Sequence, residues 1–214
     1  MKKIFFRALC VLCSGFFSLS ACGAPTPSAE TQAVNIYATS AAQFWLADLY
    51  KCAGNLSVTL KVDANEPDIY LRLGEPDSVT SPIYKIGEEE ILIAVNNVSP
   101  IQNLSLSEAQ QIFTQGNPSV QTWVFSSGED IQSAFDQLVL RGNRVTSSAR
   151  VATSVEQMSA TLNSQPTVVG ILPRRAIAGN LREVFSAGVV PVLAITKQEP
   201  QGAVSALVAC LQGN

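Results

Sequence analysis

The stretch ILIAVNNVSPIQNLSLSEAQQIF (Ile91–Phe113) changes periodicity partway along its length. It begins as an apolar strand. Ser105-Leu106-Ser107-Glu108 then has the spacing of a capping box. A serine oxygen at the first position can accept from the N3 amide, while the N3 carboxylate covers the N-cap amide. An amphipathic helix follows. Strand, box and helix in immediate succession make the unit from which α/β folds are built.

Working outward, the same order occurs three more times. VNIYAT leads to Ser40-Ala41-Ala42-Gln43 and FWLADLYKC, and TWVFS leads to Ser127-Gly128-Glu129-Asp130 and IQSAFDQLVL. ARVAT leads to Ser154-Val155-Glu156-Gln157 and MSATL. Further short strands are expected at SVTLKV, DIYLRLG, TVVGILP and VVPVLAI; VVGIL and VVPVLAI are apolar throughout, like strands covered on both faces. The closing AVSALVACL reads as a buried helix. The expectation is an α/β fold with mainly parallel sheets, in which ligands bind beyond the carboxyl ends of strands, where helices begin. That geometry makes the Ser-rich strand–helix turns the candidate site.

The N-terminus reads as an export segment. Lys2, Lys3 and Arg7 form a basic region before a short apolar core, and residues 1–21 fit a signal peptide better than a membrane span. Leu19-Ser20-Ala21-Cys22 resembles the bacterial lipobox, with Cys22 as the lipid-attachment residue. Residues 22–33 read as a flexible tether rich in Gly, Ala, Pro, Thr and Ser. The expected location is extracytoplasmic, with the protein anchored to a membrane through N-terminal lipid. Cys52 and Cys210 remain, and in an oxidising compartment they suggest a disulfide; two buried free thiols are the alternative.

The chain of 214 residues has no histidine and a net charge of −3. Ser-His and Cys-His pairs are excluded, as is imidazole ligation of a metal. With no nucleophile elbow either, no enzyme activity and no cofactor are expected. Lys and Arg are scattered singly, which disfavours nucleic acid as a partner.

Ile91 to Phe113, with Val95, Asn96, Ser99, Pro100, Asn103 to Leu106, and then Trp123, resembles the phosphate-binding component of bacterial ABC phosphate importers. Ser127-Gly128 with Phe135 resembles that family's Ser-Gly-Thr turn, and VVGILP its Ile-Gly-Tyr strand. The resemblance implies a two-lobed periplasmic-binding-protein type 2 fold with a cleft between lobes. Residues 34–91 would begin lobe 1, 92–190 would form lobe 2, and 191–214 would return to lobe 1. Cys52 and Cys210 would then share a lobe. It implies a small, anionic solute, phosphate or another oxyanion, held by Thr39 and Ser40 from one lobe and Ser126, Ser127 and Gly128 from the other. An ABC permease would be the partner. A degenerate binding-protein fold, serving as a surface interaction or sensor module without a solute, is the alternative.

Three departures bear on that choice. Glu129 stands where the family has Thr, replacing a donor by a negative charge. The family's glycine-rich loop before DIYLRLG is missing, and no arginine accompanies the Ser-Gly turn, although Arg174 and Arg175 could reach the cleft. Arg72, alternating with Leu71 and Leu73, reads as a solvated strand residue. Glu129 and Asp130, in the first helical turn where acids offset the helix dipole, stand in the place an anion would take.

Overall fold

The computed structural model describes residues 32–213, apart from 79. The signal segment, Cys22 and almost all of the tether lie outside the described residues. Residue 33 already belongs to a strand.

The chain alternates as read from its sequence, with two strands much longer than expected. β1 (Ala33–Ala38) leads through a short 3-10 turn (Gln43–Trp45) into α1 (Leu46–Leu56), followed by β2 (Thr59–Val62) and β3 (Ile69–Leu73). β4 (Ile83–Asn96), α2 (Leu106–Gln115), β5 (Gln121–Phe125) and α3 (Asp130–Phe135) come next, the last running on as a π-helical segment (Asp136–Leu140). β6 (Arg150–Ala152), α4 (Val155–Ser164), β7 (Val168–Pro173), β8 (Leu181–Thr196) and α5 (Gly202–Gln212) complete the order.

All eight strands join in one sheet of order β2-β1-β3-β8-β4-β7-β5-β6. The flanks are parallel, β1 with β2 and β3, and β5 with β6 and β7. The centre is antiparallel, because β4 and β8 run past each other from Ile83↔Ile195 to Asn96↔Leu181. β8 takes β3 along Val192 to Thr196, whereas β4 takes β7 along Ile91 to Val95. Two half-sheets therefore share the same two crossing strands. Register shifts near Lys85/Gly87, Ile91/Leu92 and Ile93/Ala94 interrupt their ladder, and such bulges sharpen local twist where one half gives way to the other.

Each half has its own helices. On the first, Leu49, Cys52 and Ala53 of α1 meet Leu207, Val208 and Leu211 of α5 in the core, and a Cys52–Cys210 disulfide joins the helices. On the second, Phe113 of α2 packs on Phe135 of α3 with ring centroids 4.7 Å apart. Asn96, at the end of β4, donates from Nδ2 to the carbonyls of Leu162 and Asn163. Much of the Ile91–Phe113 stretch therefore has a packing role: it delivers β4, anchors α4 through Asn96 and starts α2.

One of the four capping boxes is complete, one is half-formed because the Gln157 side-chain carbonyl accepts from Thr153 N and not from Ser154 N, and two need correction. Ser105 forms a complete box with Glu108, and Ser154 accepts from the Gln157 amide. Ser40 and Ser127 cap nothing of their own. The turn before α1 is closed by Thr39, whose Oγ1 accepts from the Ala42 amide at 3.2 Å, and Ser40 points to the other half-sheet instead. The N-cap of α3 is Glu129, without a side-chain cap, because a turn in which Ser126 O accepts from Glu129 N leaves Ser127 two residues ahead of the cap position.

Gly87 on β4 lies under the Trp45 ring: a Cβ there would come within 2.0 Å of the indole. Gly87→Ala is therefore expected to cost about 1–3 kcal/mol by overpacking, measured as a lower denaturant midpoint. An unchanged midpoint would mean that Trp45 can leave this seat freely.

Candidate functional site

The carboxyl ends of β1 and β3 in one half face the starts of α3 and α4 in the other. Regular pairing of β3 with β1 stops at Thr39, whose amide donates to Leu71 O at 3.0 Å. In a parallel ladder the next rung would run from the Leu73 amide to the Thr39 carbonyl. The chain turns away there, and the Thr39 carbonyl instead accepts from Ala42 N.

A carboxylate from the opposite half fills the missing rung. Asp130, only 4% exposed, accepts on Oδ2 from the Leu73 amide at 2.7 Å and from the Thr39 hydroxyl at 2.7 Å. Its Oδ1 accepts from Ile131 N at 2.8 Å. Beside it, Ser40 Oγ accepts from Val155 N, the first amide of α4, at 2.7 Å. The turn after β1 is thus bonded to both helix starts of the other half. Thr39 and Ser40 lie where β1 ends against the other half, and their bonds go to protein groups.

Ser126, Ser127 and Gly128 are exposed, and a Cβ on Gly128 would meet no atom within 4 Å. They do not gather around Thr39. Asp130 does, two residues further on, at the first position of α3.

Glu129 is partly buried, and its carboxyl pKa is raised by loss of water and secondarily by the Asp130 charge. A folded-state pKa above the unfolded value means that ionisation costs more in the fold than in the open chain. Stability is therefore lost as pH rises through the carboxylate range. Glu129→Gln is expected to raise the thermal midpoint at neutral pH and to change little at acid pH, where the carboxyl is already neutral. A lower midpoint at neutral pH would contradict this placement.

The arginines after β7 are already paired. Arg175 sits with Cζ 3.9 Å from the Trp45 ring centroid, its Nη1 3.1 Å from Asp48 and its Nε 3.5 Å from Glu89. Buried Glu89 also accepts from Trp45 Nε1 at 3.1 Å. This cluster ties α1 of one half to the segment after β7 of the other, across β4. Arg174 pairs with Glu90 and, at 2.7 Å, with Glu183, which raises the guanidinium pKa further. Arg174 and Ser186 together lower the pKa of Glu90. Among the described residues no cluster of three or more His, Cys, Asp or Glu could hold a metal ion, and no helix is long and apolar enough to cross a membrane.

No family model and no curated protein matches this sequence. Solved structures do match. A protein from Clostridium perfringens described as a phosphate ABC transporter substrate-binding protein, with bound phosphate, superposes with a TM-score of 0.76 at 11% identity, over 84% of this chain and 93% of that one. An ABC-type phosphate transport receptor from Vibrio cholerae gives 0.62 at 13% identity, over 85% and 93%. The CcmR regulatory domain of Synechocystis in complex with 2-PG also gives 0.62 at 13% identity, over 85% and 95%. The fold is the two-lobed periplasmic-binding-protein type 2 fold. Its two lobes correspond to the two half-sheets with their helices, and Asp130 lies between them. Transport receptors and regulatory domains share this architecture, so the fold leaves both roles open to this chain.

Proposed function

We propose that this chain is an extracytoplasmic protein, anchored through lipid on Cys22, that uses a periplasmic-binding-protein fold as a surface interaction or sensor module. Its own Asp130 carboxylate stands in for a solute anion, and the role is one of binding, not catalysis. The observation that carries this reading is the Asp130 contact with Thr39 and Leu73.

A second anion brought to about 4 Å from that carboxylate would be disfavoured by about 4 kcal/mol at an effective dielectric of 20. That is roughly a thousandfold in affinity. Capture would also require the lobes to part, against the bonds at Thr39, Ser40 and Arg175.

Capture of a small oxyanion for an ABC permease is the second reading, favoured by the likeness to a protein that holds phosphate. Asp130 would then have to leave Thr39 and Leu73. A thermal-shift panel of phosphate, sulfate and molybdate on the full chain in detergent separates the two. The module reading expects a flat response. A saturating upward shift, worth about 2.7 kcal/mol at a hundredfold excess over Kd, would overturn it in favour of capture.

A further inference from the structure

Beside the Asp130 contact the two lobes border an open cavity of about 390 Å³, within the size range of small-molecule sites. One wall is the end of β3 and the loop after it, from Arg72 to Asp77. The other is α3 and its π-helical continuation, carrying Ser133 and Gln137. Val190 and Pro191 of the crossing strand β8 supply apolar surface, and Asp130 lines the same space.

The distinguishing feature is charge of both signs that does not neutralise itself. Arg72 is half-buried, and its one hydrogen bond among the described residues runs from Nε to the Leu73 carbonyl at 3.3 Å. Glu75 and Asp77 line the exposed mouth of the same cavity and Asp130 its buried end, and none of them forms an ion pair with Arg72 among the described residues. Arg174 and Arg175, by contrast, each hold two carboxylates, and Arg182 donates to the carbonyls of Ser99 and Ile101. An anion alone would meet Arg72 together with three carboxylates. A simple cation would leave the guanidinium unmatched. A ligand with opposite charges at two points satisfies both.

We propose that this cavity binds a free α-amino acid as its zwitterion, an assignment that rests on the sensor reading but replaces its solute-free form with a sensor that has a small-molecule signal. The ligand carboxylate lies on the Arg72 guanidinium, whose planar fork suits a carboxylate. The ammonium faces Asp77, Glu75 and Asp130, and Gln137 and Ser133 offer hydrogen bonds to the rest of the molecule. Three carboxylates against one guanidinium favour a second positive charge, and therefore a basic side chain. Because the cavity shares Asp130 and α3 with the inter-lobe contact, occupancy and lobe closure are linked.

Calorimetric titration of the full chain in detergent tests this, with L-lysine, L-glutamate, Nα-acetyl-lysine and 1,5-diaminopentane as probes. Lysine should bind saturably and more tightly than glutamate. The acetylated and decarboxylated analogues should each be weaker by about tenfold or more, the scale of one lost charge-assisted contact. Arg72→Gln and Asp77→Asn should weaken lysine by a similar factor and leave the ligand-free thermal midpoint unchanged. Silence with every probe, or lysine affinity intact in Arg72→Gln, overturns the proposal. Flat phosphate with flat lysine removes this inference alone, whereas phosphate binding removes the sensor reading whatever lysine does.

Discussion

Replacing Asp130 by alanine is expected to lower the unfolding free energy by about 3 kcal/mol, the scale of breaking a buried charged hydrogen-bond set. The substitution removes the acceptor for the Thr39 hydroxyl and the Leu73 amide, both in the interior between the lobes. With a sensitivity of about 2–4 °C per kcal/mol at this size, the thermal midpoint should fall by about 6–12 °C. Asp130→Asn keeps an acceptor of the same shape and should lose less. A surface carboxylate would change stability by no more than about 0.5 kcal/mol. A loss that small in the alanine variant would mean that Asp130 does not hold the lobes together.

The second large effect is expected at the Cys52–Cys210 bridge. It joins positions separated by 158 residues, and the chain-entropy relation for so long a loop predicts a contribution of about 5 kcal/mol. Thermal melts with and without reductant should differ by about 10–20 °C, and the double variant Cys52→Ala/Cys210→Ala should match the reduced protein. The bridge lies within one lobe, between α1 and α5, and so fixes the return of the chain end to its starting half. A difference of a few degrees would mean that Leu49, Leu207 and Leu211 hold those helices together without it.

Much of the fold could be read from local patterns. The apolar runs in β4, β7 and β8, the box at Ser105 and the serine half of the box at Ser154 are short-range signals, and each is present in the structure. The early part of β4 and of β8 was harder to see. Lys85, Glu88 and Glu90 on one and Arg182, Glu183 and Ser186 on the other interleave charge with small residues, because these segments bridge the lobes and pair through side chains such as Arg174. Ser40 shows why a capping pattern misleads. Its hydroxyl fits the local box, but the first amide of α4, 115 residues away, takes it.

The site was legible to the level of the turn but not the atom. Thr39 and Ser40, two of the expected ligand contacts, lie at the junction of the halves and bond to protein groups. Among Ser126 to Asp130, sequence alone marks an acidic helix start without saying which side chain turns inward. That choice depends on the exposed Ser126 to Gly128 turn, which rotates Asp130 toward β3 and leaves Glu129 at the rim. The pairing of Asp130 with Thr39 spans 91 residues and has no local signature.

The most direct test of the central claim is calorimetric titration of phosphate into the wild-type chain and into Asp130→Ser, side by side. With the resident carboxylate gone, the Thr39 hydroxyl and the Leu73 and Ile131 amides become free donors. The account predicts no heat of binding in the wild type and saturable phosphate binding in the variant. Saturable binding by the wild type, undiminished by the presence of Asp130, would contradict it.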